Sequence, residues 1–487
     1  MSPACFSAQN DFSMFGDIIS AFSSSPTYVK PVAKLATDKF MQANISSSYD
    51  DFLQIIEDKN TSSLEMLKLN EKMYELGFFT LAEISSSKIQ DENFMFYQKT
   101  VQNFYKPTYV LTKQDELFLA EIYSNIFYND RAVEAIKELS QRKDLLKKSD
   151  YANYLMALGF YKTDNLKSAL KSINDAIDIN SKCQNYKFLK IKLLAETGKR
   201  KEAINLFNSY NNKKELPYLY RKKCELLKQF ILYKTEKNQW RKNYALGRYY
   251  YTEGDYQKAL RSLQNATLTK NKKNLTKVWA MLSRTYLKLG DAKKAKEYAL
   301  KAVKNDDSNT DANVTLARLA YMEDDYKKAS EYFKKAIKDD KLDTSIIKVA
   351  QLYQINGEDD KAVKIYKSLL KKGNDEWEAY YNLALLDNDN EEKDLLMSIS
   401  SNPMNADAWA TLVNLKIGNK EYIKAKEYLK NLLYIDENDY RYYYYKGIVN
   451  RDNGDYVKAV KYFSKSVELN PEFDDAQREL IKLKEYI

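Results

Sequence analysis

The chain has 487 residues with 12 Gly and 7 Pro, too few turn-formers for an all-β protein, and no apolar run approaches the ~20 residues that span a bilayer. It has no His and three scattered cysteines, Cys5, Cys183 and Cys224; this removes imidazole chemistry and the common zinc and redox motifs, and leaves a Cys183–Cys224 bridge open. The formal charge of +10 is uneven, with 10 basic against 17 acidic side chains over residues 1–130 and 68 against 51 over 131–487, so the body favours acidic partners.

Residues 1–60 read as an N-terminal extension, Ser-rich and in part disordered. Its opening "MSPACFSAQNDFSMFGDIISAFSSSP" has no Lys or Arg before Lys30 and no continuous apolar core, so it is not an intact secretory signal. The expected location is cytoplasmic, with export or lipid anchoring the alternative if residues 1–10, which contain "SPAC", are the remnant of a longer signal. Residues 61–112, including "EMLKLNEKMYELGFFTLAEISSS", read as a divergent helical segment.

A periodic pattern begins at 113. In each unit a small residue in one helix is followed twelve positions later by an Ala in the next. Residues 113–210 carry the pairs Ala120–Ala132 and Ala157–Ala169, a first array. Residues 211–239, with "KKELPYLYRKKCELLKQFILYKTEKN", break the period and read as an extra helix after Pro217, a joint. Residues 240–472 form a second array with Gly247–Ala259, Ser283–Ala295, Ala317–Ala329, Ala350–Ala362 and Gly447–Ala459. Its second-helix alanines from Ala259 to Ala362 lie 36, 34 and 33 apart, and Ala425 to Ala459 is 34. One repeat, at about 377–404, is clipped and lacks the second-helix Ala. Residues 473–487 place Ala476, Leu480, Leu483 and Ile487 on one face, a capping helix for the end of an array.

A period near 34 signals a helical solenoid, in which neither helix of a pair can bury its apolar stripe alone. Small residues at the helix crossing let backbones approach, and an aromatic three residues on (Tyr123, Phe160, Tyr250, Tyr286, Tyr353) covers the contact. The intervening turn needs positive φ and then a cap, which Gly254–Asp255, Gly290–Asp291 and Gly454–Asp455 supply; Gly198 and Gly357 stand at the same place.

These units resemble tetratricopeptide repeats. Trp279, Leu282, Ser283, Tyr286, Ala295 and Ala302 fit that pattern, as do Gly447, Ala459, Phe463 and Pro471, and Leu246, Gly247, Tyr250, Ala259, Leu263 and Ala266. The resemblance implies an all-α, right-handed superhelical solenoid of antiparallel helix pairs. It also implies that each first helix faces a concave groove holding an extended peptide or a partner's helix.

The position after the small residue would face that groove, and in three successive repeats it is Arg248, Arg284 and Arg318. Arg241, Tyr244 and Tyr251, then Lys277, then Tyr321 share the same face of their helices. Arginine's planar fork suits carboxylates and tyrosine offers flat contact at small entropic cost. The expected partner is therefore a protein or peptide segment, acidic and extended. The family's Lys and Asn clamp for a terminal carboxylate is absent, since Tyr244 and Arg248 stand at its places. Single-stranded nucleic acid is the competing partner, through stacking and phosphate neutralisation, but acidic residues are interspersed throughout the basic region. No phosphate-cradling Gly loop, H-E-x-x-H pair or nucleophile elbow occurs. Neither catalysis nor a cofactor or metal is expected.

Overall fold

The computed structural model describes residues 31–89, 94–211, 218–323, 325–337, 347, 350–351, 353–354, 358–371, 377–387 and 389–484. Among these residues there are 27 α-helices and no strand, and the helices pack as sequence-adjacent pairs. The all-α architecture of stacked helix pairs is thus the one observed. No helix among the described residues is long and apolar enough to cross a membrane.

One local rule builds the pairs. Nine described residues take a left-handed backbone, with φ between 51° and 102°: Ala43, Gly77, Asp130, Asp164, Gly198, Gly254, Gly290, Lys420 and Gly454. Five positions after each stands a side chain with no exposed surface: Ser48, Ala82, Ala135, Ala169, Ala203, Ala259, Ala295, Ala425 and Ala459. The left-handed residue ends the first helix, and the amide after it bonds back, as Phe78 to the Met73 carbonyl, Asp291 to Tyr286 and Asp455 to Asn450. The second helix is then capped by the side chains of Asn165, Asp255, Asp291 and Asp455, each accepting from the amide three residues on. One turn later the buried Ala meets the first helix. Gly357, expected at one such turn, lies outside the described residues.

The crossings explain the small residues. A Cβ on Gly247 would stand 2.6 Å from the Leu263 Cγ, and one on Gly447 would stand 2.6 Å from the Phe463 ring. One pairing read from sequence is displaced. The turn after Lys113–Phe127 runs from Tyr128 to Arg131 with Asp130 left-handed, so Ala135 and not Ala132 stands five residues past the left-handed residue, at the crossing position. Ala132 is buried beside it.

The same rule extends N-terminally beyond the arrays recognised by sequence. Helices Pro31–Met41 and Ile45–Glu57 cross at Ala36 and Ser48, whose hydroxyl donates to the Ala36 carbonyl at 2.7 Å. Ser63–Leu76 and Phe79–Lys88 cross at Asn70, whose amide donates to the Ala82 carbonyl at 2.6 Å and to Ser85 Oγ at 3.0 Å. The Ser-rich extension therefore contains two packed helices from Pro31 onward; its first 30 residues lie outside the described ones.

The chain divides into two compact units, and they do not follow the two arrays: one comprises residues 1–184 with 388–487, the other 185–387. In the discontinuous unit, the helix Ser63–Leu76 and the helix Met95–Tyr105 pack against Glu391–Ser401 and Tyr422–Ile435. The Leu64 amide donates to Asn431 Oδ1 at 3.1 Å, a contact spanning 367 positions of sequence. The fully buried Trp409 stands edge-on to Phe94 at 6.0 Å and lies 5.4 Å from Tyr428. At its C-terminal end the helix Asp474–Lys484 buries Ala476 and Leu483 and leaves Ile481 exposed.

The contiguous unit is a run of nearest-neighbour contacts. Tyr218–Thr235 is the helix that breaks the repeat period. Beyond it come Gln239–Glu253 with Tyr256–Ala266, Lys272–Lys288 with Ala292–Asn305, and Thr310–Met322 with Tyr326–Ile337. Ala280, Ala299, Ala302, Ala312 and Leu316 close the gap from one pair to the next. Farther on, the first helix of the clipped repeat is only 8 residues, Trp377–Ala384. Cys183 and Cys224 are both buried thiols, and no disulfide joins them. Burial pushes the Cys224 thiol up to about 12, which keeps it unreactive near neutral pH.

Candidate partner-binding face

The predicted ladder lies wholly in the contiguous unit, on the first helices of three pairs: Gln239–Glu253, Lys272–Lys288 and Thr310–Met322. Helix periodicity sets the face. Gly247, Ser283 and Ala317 turn inward to the crossing, and the next residue is rotated about 100° away from it. Arg248, Arg284 and Arg318 are accordingly half-buried rather than enclosed.

The structure brings four of the predicted residues into one cluster. Tyr244, Arg248 and Tyr251 stand one turn apart along a single helix, and the Arg284 guanidinium lies over the Tyr251 ring at 5.0 Å. Tyr244 and Tyr251 also rest on the core that includes Leu282 and Tyr286. Tyr244 sits 6.2 Å from the Trp240 ring, and burial, offset in part by Arg248 and Arg284, pushes its phenol above the ordinary range.

Two of the arginines already hold a carboxylate. Arg248 donates to Glu225 at 2.9 Å, back to the preceding helix Tyr218–Thr235. Arg284 donates to Asp311 at 2.6 Å, forward to the next repeat. Burial works against the Arg284 charge, yet Asp311 and Tyr251 hold its pKa above the usual arginine value. Arg318 differs, since it makes no ion pair among the described residues. The remaining predicted residues stand apart from the cluster. Lys277 is exposed, Arg241 is exposed with its guanidinium 5.8 Å from the Trp240 ring, and Tyr321 is 42% exposed beside the 70% exposed Met322.

Sequence reading missed Glu225 and Asp311. Asp311 lies in the first turn of its helix, where an acidic residue is explained by the helix dipole alone. Glu225 lies in the helix outside the repeat period, so its facing could not be read from phase. Among the described residues no group of His, Cys, Asp or Glu could hold a metal ion.

Comparison with known proteins places these helix pairs. Profiles described as tetratricopeptide repeat match residues 276–309, 406–439 and 440–473. A curated relative, the BBSome complex member BBS4 of Bos taurus, is 23% identical over 370 residues, which is 75% of this chain. The chain spans 60% of the length of that relative. Among solved structures, the APC/C hetero-tetramer Cut9-Hcn1 is similar over 96% of this chain and 98% of that one, with 13% identity and a TM-score of 0.41. Yeast Tom70 is similar over 76% of this chain and 96% of its own, with 15% identity and a TM-score of 0.34.

Proposed function

The chain is a tetratricopeptide-repeat protein, and from that premise we propose that it is a non-catalytic interaction scaffold. Its partner is an extended acidic protein segment, bound along the first helices of the contiguous unit. The observation that carries this reading is the register of Arg248, Arg284 and Arg318 in three successive repeats, with Tyr244, Tyr251 and Tyr321 beside them. Successive arginines one repeat apart fit a segment that advances one contact per repeat. Arg318, without an ion pair among the described residues and next to the exposed Tyr321 and Met322, offers a partner carboxylate a site at which no carboxylate of the described residues has to be displaced. Exposed Lys277 and Arg241 extend the positive rim and favour fast, salt-sensitive encounter. The bovine relative's description as a complex member is in keeping with a scaffold role.

A fluorescent dodecapeptide rich in Glu, titrated by anisotropy against the full chain, tests the proposal. Truncating a productive arginine costs about 1–3 kcal/mol. Arg318→Ala should therefore weaken binding roughly tenfold, with helicity unchanged because no ion pair among the described residues is broken. Unchanged affinity in the triple Arg248→Ala, Arg284→Ala, Arg318→Ala variant would sink the reading. Tighter binding of a single-stranded RNA with matched charge would assign the face to nucleic acid instead.

A further inference from the structure

The two paired arginines pose a question of chemistry. A partner carboxylate arriving at Arg248 or Arg284 meets Glu225 or Asp311 already in place. Replacing one carboxylate by another exchanges like for like and adds a desolvation cost for the incoming group, so a monoanion gains little there. A phosphoryl group is different in kind. It carries about −1.5 to −2 charge at neutral pH and three acceptor oxygens, so it can bond two guanidiniums and a hydroxyl together.

The geometry supplies that set. Each internal carboxylate engages one terminal nitrogen of its arginine, Nη2 of Arg248 and Nη1 of Arg284, out of five N–H donors on each guanidinium. Tyr251 links the two, three residues along the helix from Arg248 and under the Arg284 guanidinium. Tyr244, four residues before Arg248 on the same helical face, has a phenol near enough for both Arg248 and Arg284 to act on its charge. Resting on the reading of this face as the partner's, we infer that Arg248, Arg284 and Tyr244 receive a phosphorylated side chain of the partner. Glu225 and Asp311 set the preference by competing out carboxylates, while Arg318 accepts either anion.

Phenyl phosphate and benzoate, which share an aryl ring and differ in the anion, are the probes. Each is titrated against the full chain by ligand-observed NMR at pH 7.5 and constant ionic strength. Phenyl phosphate should bind at least about tenfold more tightly than benzoate. The Glu225→Gln, Asp311→Asn variant should narrow that gap to a few fold by admitting benzoate. Arg248→Lys keeps the charge and the fold but removes the planar fork, and should weaken phenyl phosphate severalfold at an unchanged melting temperature. Equal affinity of the two probes, or a gap that the double variant leaves intact, overturns the inference. If the Glu-rich peptide still binds through Arg318 in that case, the scaffold reading stands without it; if Arg318→Ala leaves the peptide untouched as well, both fall.

Discussion

The two compact units use the same helix pair and assemble it differently. The contiguous unit, residues 185–387, is closed by neighbours in sequence: Ala280, Ala299, Ala302, Ala312 and Leu316 seal one pair to the next. The other unit draws on both flanks of the chain, and its interior includes Leu64 bonded to Asn431 and Phe94 against Trp409. Nearest-neighbour stacking makes repeat stability close to a sum of local terms. A unit that must also join distant segments has to close a long loop before those contacts form. The lesson is that a periodic sequence does not guarantee a one-dimensional fold. The repeat rule fixes each pair, while burial at the ends of the array decides which pairs meet.

The largest test of that contrast removes Trp409. It is fully buried, its indole N–H donates to the Pro403 carbonyl at 2.9 Å, and it contacts both Phe94 and Tyr428. Trp409→Ala should cost about 3–5 kcal/mol. Hydrogen exchange should then show lost protection over residues 63–105 as well as 391–435, with residues 239–322 still protected. Equal loss in both units would erase the distinction between them.

A matched pair of substitutions sharpens it. Gly247→Ala collides with Leu263 in the contiguous unit, and Gly447→Ala collides with Phe463 in the other. Overpacking of this kind costs about 1–3 kcal/mol, and the better helix propensity of Ala returns no more than about 1. The Gly247 variant should loosen its own pair and the adjoining ones. The Gly447 variant should also lower protection in the N-terminal helices, since its unit is held together by both flanks. Strictly local effects at both sites would make the two units alike.

Acid separates them more gently. Glu116 in the discontinuous unit is buried, and burial outweighs the bonds from Thr80 to raise its carboxyl above the ordinary glutamate value. A raised folded-state pKa means the native state holds the extra proton. Its stabilising contribution is full below the ordinary glutamate value, about 4.3, and fades as pH rises through the folded one. Asp291 in the contiguous unit behaves oppositely. The Lys294 amide holds its carboxyl below the ordinary range, so its contribution is lost as pH falls. Glu116→Gln should therefore flatten the pH slope of exchange protection around Thr80 and leave the slope around Asp291 unchanged.

Much of the contiguous unit was legible because its described crossings and turns use the family's residues: Gly247, Ser283 and Ala317 at crossings, Gly254 and Gly290 at turns. The N-terminal pairs obey the same geometry with other chemistry. The Ser48 hydroxyl and the Asn70 amide nitrogen donate across their crossings in place of small apolar contacts, so no small-to-Ala spacing marks the pair. The closure of the discontinuous unit was illegible for a further reason: Asn431 and Trp409 look like ordinary repeat positions until their distant partners are known. Tyr444, one of four consecutive tyrosines whose facing the sequence does not single out, packs against Phe463 and Phe473. In the ladder the arginines were found by phase. Their acidic partners were not, because a carboxylate at a helix start or outside the period carries no distinguishing signal.

The smallest prediction turns on the same comparison at single-residue scale. In the contiguous unit the described left-handed turns are all glycine, at Gly198, Gly254 and Gly290. The discontinuous unit places Ala43, Asp130, Asp164 and Lys420 in that conformation beside Gly77 and Gly454. A left-handed residue with a Cβ costs roughly 1–2 kcal/mol, whereas glycine's extra freedom in the unfolded chain takes back about 0.4–1. Lys420 is exposed at φ 59°, so nothing but backbone conformation is at stake there. Lys420→Gly should stabilise the protein by about 0.5–1 kcal/mol in a denaturant melt. Asp164→Gly should gain less, because aspartate tolerates this region better than lysine does. A loss of stability at Lys420 would mean that its side chain has a role the turn rule does not contain.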